Sequence, residues 1–198
     1  MKKRVGKVVL LGTLTSFASS ILLGAYGSHS IEWTRQFGTP ANEVADSIAV
    51  DGQGNAWVAG YAEGTFPGQS SAGGGDAFVR KYDANGKELW TRQFGTSMSE
   101  RATSIATDRQ GNAWVVGYTE GAFPGQSSAG GRDVFVRKYD ANSKELWTRQ
   151  FGTPGEEVAN CIAVDGQGNA WVAGYTTGAL PGQSGAGGLD AFVLKYSR

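Results

Sequence analysis

The chain repeats the stretch Trp33-Thr34-Arg35-Gln36-Phe37-Gly38-Thr39 without a change at residues 90–96 and again at residues 147–153. The three copies stand 57 residues apart. A second stretch, Asp51-Gly52-Gln53-Gly54-Asn55-Ala56-Trp57, returns with the same spacing at residues 108–114 and 165–171, with Arg109 in place of the first glycine in the second copy. A long and constant period is typical of a solenoid, a propeller or another array of equal units.

Each unit contains four short runs with the composition of β-strands. In the first unit these runs are residues 45–50, 56–61, 77–82 and 89–94, and turn residues separate them. The turn before the fourth run contains Asn85-Gly86, a pair suited to the positive φ angles of a tight hairpin. No helical periodicity of useful length follows residue 30, so we predict an all-β fold.

The alternation of side chains indicates that the sheets stack. On a two-residue period Trp90 and Phe94 share one face of the fourth strand, and Leu89 points to the other. The third strand likewise carries Phe78 on one face and Val79 on the other. Because both faces of such a sheet are apolar, we predict a β-propeller-type domain over residues 28–198, in which each blade is a four-stranded sheet. Its three 57-residue repeats lie at about 45–94, 102–151 and 159–198.

The order of the strands indicates a permuted ring. The repeat region opens on a fourth-type strand at residues 31–37 and closes on a third-type strand at residues 191–196. We predict that the N-terminal strand completes the last blade. Propellers have about four to eight blades, so three blade equivalents are few. The preferred solution is a head-to-tail dimer that closes six blades by exchanging strands. A fragment of a longer array and a compact three-blade ring are the alternatives.

The first residues have the three parts of a secretory signal peptide. Four basic residues precede an apolar run at residues 8–23, and small residues follow it. The run is shorter than the roughly 20 residues that a membrane-spanning helix needs, although an uncleaved anchor is the alternative. We expect residues 1–27 to be a signal peptide, and the mature bacterial protein to be secreted, periplasmic or on the cell surface, with no stable membrane span.

Charge, histidine and cysteine content argue against several classes of function. The chain has 18 Lys and Arg residues and 18 Asp and Glu residues, so its formal charge is balanced. The sequence contains no basic stripe of the kind that binds nucleic acid. His29 is the only histidine and Cys161 the only cysteine, which argues against a serine–histidine–aspartate triad and against a thiolate or histidine-rich zinc site. We expect no enzyme activity and no cofactor. Cys161 takes the repeat position of Ser47 and Ser104, which favours a small buried residue over a reactive thiol.

The loop after the second strand carries the candidate binding residues. The sequence Glu-Gly-Thr-Phe-Pro-Gly-Gln at residues 63–69 returns in altered form at residues 120–126 and 177–183. An aromatic ring beside amide and carboxylate groups suits a sugar, which has an apolar face and hydroxyl edges. A ring that fills the rim of the blade explains the same pattern, and Leu180 in the third copy favours this packing role. The candidate binding residues are Phe66, Gln69, Phe123, Gln126 and Gln183.

The turn after the first strand carries a repeated aspartate. Asp51 opens an Asp-x-x-Gly-Asn cluster, in which the carboxylate either binds calcium or accepts backbone N–H groups as in an Asx-turn. Calcium takes about six to eight oxygen ligands, more than this turn offers. We therefore predict structural turns and no metal. The turn residues are Asp51, Gly54 and Asn55, then Asp108, Gly111 and Asn112, and finally Asp165, Gly168 and Asn169.

The repeated residues are similar to those of the bacterial SBBP repeat, a beta-propeller repeat family. The resemblance rests on residues 45–51, residues 54–61, Phe66-Pro67, residues 76–82 and Gly86, and it extends over residues 31–198. The family is associated with exported or surface proteins of bacteria. The resemblance implies a propeller and no particular activity. This chain differs from the usual pattern in its shortness and in the near-identity of its repeats.

The sequence therefore predicts an exported, non-enzymatic propeller that acts as a binding or structural scaffold module. The alternative is a multivalent, lectin-like carbohydrate binder that uses the repeated Phe-Pro-Gly-Gln loops. The expected partners are a second copy of the chain and a surface glycan or protein.

Overall fold

The computed structural model describes residues 29–197. The predicted signal peptide, residues 1–27, lies outside the described residues. The chain divides into two units, residues 1–32 and residues 33–198, and every strand belongs to the second unit. Eleven β-strands and no helix occur in the described part of the chain, which confirms the all-β prediction. It follows that no described helix has the length and apolarity to span a membrane.

The strands recur in four types, one set for each repeat. The first type comprises β1 (Glu43–Val50), β5 (Glu100–Thr107) and β9 (Glu157–Val164). The second type comprises β2 (Ala56–Ala62), β6 (Ala113–Thr119) and β10 (Ala170–Thr176). The third type comprises β3 (Asp76–Tyr82), β7 (Asp133–Tyr139) and β11 (Asp190–Tyr196), and the fourth comprises β4 (Glu88–Phe94) and β8 (Glu145–Phe151). The four runs predicted in the first unit lie inside β1, β2, β3 and β4.

Turn residues end the strands where the sequence indicates. Gly54, between β1 and β2, has a φ of 81°, and Gly86, between β3 and β4, has a φ of 74°. These are left-handed conformations that glycine adopts without steric cost. Ser143 replaces Gly86 in the second repeat and keeps a φ of 73°, and it is the one non-glycine residue with positive φ in the described chain.

The strands form three antiparallel sheets with neighbouring strands in chain order. The first sheet is β1-β2-β3-β4, the second is β5-β6-β7-β8, and the third contains β9, β10 and β11. The register is the same in each full sheet: Val79 stands opposite Arg92 in the first sheet, and Val136 stands opposite Arg149 in the second. The outer edge of β11 has no strand beside it among residues 29–197.

Each sheet has two apolar faces, which we name the Trp face and the Phe face. The Trp faces carry Trp57, Trp114 and Trp171 in the three sheets, and the Phe faces carry Phe78, Phe135 and Phe192. The Trp face of the first sheet packs on the Phe face of the second, and the second sheet packs on the third in the same way. Stacking removes both apolar faces from water, which is the main driving force for folding. The three sheets form a propeller-like array of blades, as predicted.

The Trp face of the third sheet is open. Cys161 in β9 lies on this face opposite Ala173 and is exposed. The prediction that it is a buried residue was wrong, because no described residue covers this face. The equivalent Ser104, on the second sheet, is buried and accepts a hydrogen bond from the Ile162 N–H of the third sheet at 3.3 Å.

The N-terminal segment, which we define as residues 33–37, belongs to none of the sheets. It packs instead against the Phe face of the first sheet, where Phe37 contacts Phe66 and Phe78. The predicted completion of the last blade does not occur within one chain, and the third sheet has three strands. Completion of that blade by the segment therefore requires a second chain, and it stays a prediction.

Candidate functional site

Phe66 and Phe123, the aromatic residues of the predicted binding loops, are buried. The Phe66 ring lies 5.2 Å from the Phe78 ring, edge to face, and the guanidinium of Arg80 lies 4.7 Å above it. Phe123 makes the same contacts in the second repeat, with Phe135 at 5.5 Å and Arg137 at 4.7 Å. Both rings fill the rim of a blade, which is the packing role that Leu180 favours. In this arrangement neither ring offers a face on which a sugar stacks.

Two glutamines that the sequence analysis did not single out hold these loops in place. Gln93 in β4 accepts the Phe66 N–H at 2.9 Å and donates to the carbonyl of Gly64 at 2.9 Å and to Asp76 at 2.7 Å. Its backbone N–H donates to the amide oxygen of Gln69 at 3.1 Å. Each loop is thereby tied to the fourth strand of its own sheet.

The second repeat contains the same network around Gln150. This side chain accepts the Phe123 N–H at 3.0 Å and donates to Asp133 at 2.8 Å, and its backbone N–H donates to Gln126 at 3.1 Å. Gln69 and Gln126 are therefore loop anchors. Gln183, the third glutamine among the predicted binding residues, is exposed, and no fourth strand stands beside it among the described residues. The available signal was the recurrence of Gln36, Gln93 and Gln150 at one repeat position.

Buried glutamates are a second feature that recurs in the repeats and that the sequence analysis missed. Glu100 accepts hydrogen bonds from the Thr96 N–H at 2.7 Å and from the hydroxyls of Thr96 and Thr119 at 2.6 and 2.7 Å. Glu157 is held in the same way in the third repeat. The signal was a glutamate four residues after each Phe-Gly-Thr, and these carboxylates close the connection from one sheet to the next.

A second carboxylate lies next to each of these glutamates. A Cβ atom at Gly95 would collide with both Asp76 Oδ1 and Glu100 Oε2, so only glycine fits between them. Asp133 Oδ1 occupies the equivalent place beside Gly152 and has no hydrogen-bond partner. Among residues 29–197, no group of three or more His, Cys, Asp or Glu side chains is placed to hold a metal ion.

The repeated aspartates form compact turns. Asp51 accepts hydrogen bonds from the N–H groups of Gln53 and Asn55 at 3.0 and 2.9 Å and from Trp57 Nε1 at 3.0 Å. Lys81 Nζ lies 3.1 Å from its carboxylate. Burial raises the pKa of Asp51, but the hydrogen bonds from Asn55, Trp57 and Lys81 outweigh it and hold this pKa well below its ordinary value. The carboxylate is therefore used to fix the turn and the tryptophan.

The same turn recurs around Asp108 and Asp165. Burial raises the pKa of Asp108, but the hydrogen bonds from Asn112 and Lys138 have the larger effect, so this pKa lies below its ordinary value. The pKa of Asp165 is also held below its usual range, first by the side-chain hydrogen bond from Asn169. The three turn glycines, Gly54, Gly111 and Gly168, all have positive φ.

Apolar grooves lie at both ends of the array of sheets. One, of about 590 Å³, runs between the N-terminal segment and β1 and is lined by Trp33, Phe37, Ile48, Val58 and Tyr82, among others. A second, of about 560 Å³, lies beside β11 and includes Leu180, Gln183, Phe192 and Leu194. These grooves, together with the loop tips, are the surfaces available for contact with other molecules.

The match to a protein-family model agrees with this architecture, and two further proteins are similar to parts of the chain. A family model described as "Beta-propeller repeat" (SBBP) matches residues 32–67, 89–124 and 146–181. The "Regulatory protein FlaEY" of Caulobacter vibrioides is 30% identical over 177 residues, which is 81% of this chain and 19% of that protein. A solved protein of unknown function from Bacteroides caccae aligns with a TM-score of 0.44 at 14% identity, covering 76% of this chain and 46% of the other.

Proposed function

Because the chain belongs to the SBBP beta-propeller repeat family, we propose that it is an exported, non-enzymatic binding module whose stacked sheets present repeated loops to a partner. The observation that carries the proposal is the anchoring of these loops by Gln93 and Gln150, each of which bonds to the loop of its own repeat. Loops held in this way pay little entropy on binding, because they are ordered beforehand.

The tips of the loops are the parts that a partner reaches. Pro67, Pro124 and Pro181 are exposed at equivalent positions of the three loops. Binding residues commonly lie on loops that a rigid scaffold positions. Three similar tips at one repeat spacing suit a partner that itself has repeated features, such as a polymer of the cell envelope or an extended protein.

The likeness to FlaEY supports a binding role. That protein is described as a regulatory protein, a description that suits a protein acting through a partner. The match spans 81% of this chain but only 19% of FlaEY, so the regulatory role of that whole protein is not assigned to this chain. The lectin-like alternative has weaker support, because the rings of Phe66 and Phe123 are buried.

Binding of the purified chain to an array of bacterial envelope glycans and to a peptide array tests the proposal. The loop variant combines Ser70→Glu, Ser127→Glu and Ser184→Glu, all at exposed loop positions. The control reverses two charges in the hairpins, Lys87→Glu and Lys144→Glu, also exposed, and so makes the net charge more negative by about as much as the loop variant does. We expect array binding that the loop variant loses and the hairpin variant keeps. Equal loss in both variants, or silence on both arrays, would contradict loop-mediated binding.

A further inference from the structure

The N-terminal segment lies on the first sheet in the way that β4 lies on the second sheet. The centroid of the Phe37 ring stands 5.8 Å from that of Phe78. The equivalent distance on the second sheet, from Phe94 in β4 to Phe135, is 5.7 Å. The segment thus occupies the place of a fourth-type strand, stacked on the following sheet, while no strand of the described chain pairs with it.

One polar side chain of this segment, that of Gln36, has no hydrogen-bond partner among the described residues, whereas Arg35 donates to the carbonyl of Gly86 at 2.6 Å. Gln36 is exposed and makes no hydrogen bond within the described residues. Its repeat equivalents Gln93 and Gln150 each bind the loop of the sheet to which their strand belongs. Gln36 therefore has the position of a loop-binding glutamine but no loop to bind.

The third sheet has the opposite deficiency. Its loop contains the groups that bind Gln93 in the first repeat, but no residue of the described chain takes the place of the glutamine. These groups are the Leu180 N–H, the carbonyl of Gly178, the amide oxygen of Gln183 and the carboxylate of Asp190. A segment that supplied one strand and one glutamine would complete both the edge of β11 and this loop.

The outer faces of the array are also complementary. Trp171 and Val193 on the Trp face of the third sheet are 43% and 69% exposed, whereas Trp114 and Val136 at the same places on the second sheet are 2% and 0% exposed. At the other end, Ile48 in β1 is 63% exposed, while the equivalent Ile105, packed between the first two sheets, is 4% exposed. Each open face therefore has the residues that are buried where two sheets meet.

We propose that a second copy of this chain covers the third sheet, with its N-terminal segment added to β11 as the fourth strand and its first sheet stacked on the Trp face. The internal contact between the first and second sheets is the template for this interface. One placement of the second copy both adds its segment to β11 and stacks its first sheet on the Trp face. This is possible because the segment already lies on its own first sheet as β4 lies on the second. This interface uses the base of the third loop and not the exposed loop tips to which the binding proposed above is assigned.

The template fixes the register of the added strand. Val79 stands opposite Arg92 in the first sheet, and Phe78 stands opposite Gln93. Moved by the repeat spacing, these pairs become Val193 opposite Arg35 of the second copy and Phe192 opposite its Gln36. The N–H of that Gln36 then lies beside the amide oxygen of Gln183.

The contact is heterologous, since two different surfaces meet. Such contacts form a closed ring when the rotation between copies closes, and a filament when it does not. Two copies carry six blades, which lies within the range of about four to eight that propellers adopt. We infer a closed dimer in which each chain gives its segment to the other.

Light scattering after size exclusion, over a range of chain concentrations, tests the assembly. We expect the mass of two chains, and we expect Val193→Arg to give a monomer with an unchanged circular dichroism spectrum. Leu146→Arg is the matched control, because Leu146 is 44% exposed on the second sheet, which already has a neighbour on both sides. Gln36→Ala should raise the dissociation constant at least roughly 10-fold through its lost hydrogen bonds, and Gln110→Ala, in an exposed turn, should not.

Disulfide trapping tests the register. Directly opposed Cα atoms of an antiparallel pair stand about 4.5–5.5 Å apart, which suits a disulfide. In a Cys161→Ser background, Arg35→Cys with Val193→Cys should give a covalent dimer on oxidation. Thr34→Cys with Val193→Cys is the control and should not, because residue 34 points to the other face of the strand.

Different results would overturn the interface, the six-blade ring and the register. A monomeric chain at about 100 µM (a typical upper working range) would overturn the interface, since a specific contact of standard size binds more tightly than this. A mass above two chains that Val193→Arg reduces would overturn the six-blade ring. Equal cross-linking of the two cysteine pairs, or an intramolecular disulfide in the Arg35–Val193 pair, would overturn the register and the exchange between copies.

Discussion

At the scale of the residue, Asp51 connects a turn, a buried tryptophan and a buried lysine. Its carboxylate accepts two backbone N–H groups and the indole N–H of Trp57, and it pairs with Lys81. A carboxylate whose hydrogen bonds are satisfied in this way contributes through several partners at once, so removing its charge affects all of them. The function of this acid is therefore to fix the corner between β1 and β2.

Asp51→Asn should lower the free energy of unfolding at pH 7 by about 1–3 kcal/mol, since it leaves the buried Lys81 ammonium without its charged partner. The pKa of Asp51 is lower in the folded chain than in the unfolded chain. Its stabilising effect is therefore present above the unfolded pKa of about 3.9 and is lost as the pH falls below it.

Urea denaturation at pH 7 and at pH 3.5 measures this effect. The difference between the wild type and the variant should shrink at the lower pH. In the dilute chain Asp165→Asn is the matched comparison and should cost less, because no ion pair with Asp165 occurs in the described chain and its Trp171 is exposed. A difference that is independent of pH would show that the charge of Asp51 does not matter.

Trp57→Ala should lower the free energy of unfolding by about 3–5 kcal/mol, because the ring is fully buried between the first two sheets. Trp171→Ala removes the same ring from the open face and should cost much less in the dilute chain. Thermal or urea unfolding at low and high chain concentration measures both. Equal losses for the two variants would contradict the different burial of the two rings.

At the scale of the element, a loop and a strand are joined through Gln93. This one residue of β4 makes hydrogen bonds with four residues of the loop and its end: Gly64, Phe66, Gln69 and Asp76. The loop is long and rich in glycine, so its order depends on such ties rather than on its own propensity. Loss of the glutamine should loosen the loop while leaving the sheet in place.

Gln93→Ala should increase the hydrogen-exchange rate of the Phe66 amide by roughly 10-fold or more, because that N–H loses its acceptor. The Phe123 amide is the internal control, because it bonds to Gln150 and should keep its rate. Exchange read by NMR or mass spectrometry gives both values in one sample. An unchanged Phe66 amide would mean that the loop is held by other contacts.

Local patterns predicted the elements well and the ties between them poorly. The runs at 56–61 and 77–82 were found because alternation and turn residues are properties of neighbouring positions. The sequence does not decide the role of Phe66, because an aromatic residue in a loop gives the same pattern whether it fills a rim or binds a ligand. Gln93 and Glu100 were missed, since their partners lie in other elements. The sequence feature that could have identified them is their recurrence at fixed places in three repeats.

At the scale of the whole molecule, stability comes from the contacts between sheets. The two internal contacts bury the Trp face of one sheet on the Phe face of the next. In repeat proteins stability is approximately the sum of such unit and neighbour terms. The sequence predicted stacked sheets from the apolar residues on both faces. It did not predict that Cys161 is exposed, because burial at that position depends on a further sheet.

Duplicating residues 94–150 within the chain adds one full repeat between Gln150 and Phe151 and should raise the free energy of unfolding. The added repeat contributes one more internal contact without adding an open face. Equilibrium urea denaturation of the four-repeat chain measures the gain. The control is the same insertion with a lysine in place of the added copy of Val136, which should remove most of the gain. An unchanged midpoint for the insertion would contradict a sum of neighbour contacts.

The identical heptapeptides at 33–39, 90–96 and 147–153 also have a consequence for the gene. Where the codons of these segments also match, unequal crossing-over between two of them gains or loses a whole blade in frame. The product has no foreign junction, because every joint again follows Gln with Phe-Gly-Thr. We therefore expect relatives of this gene to differ from one another by whole multiples of 57 codons more often than by insertions within a blade.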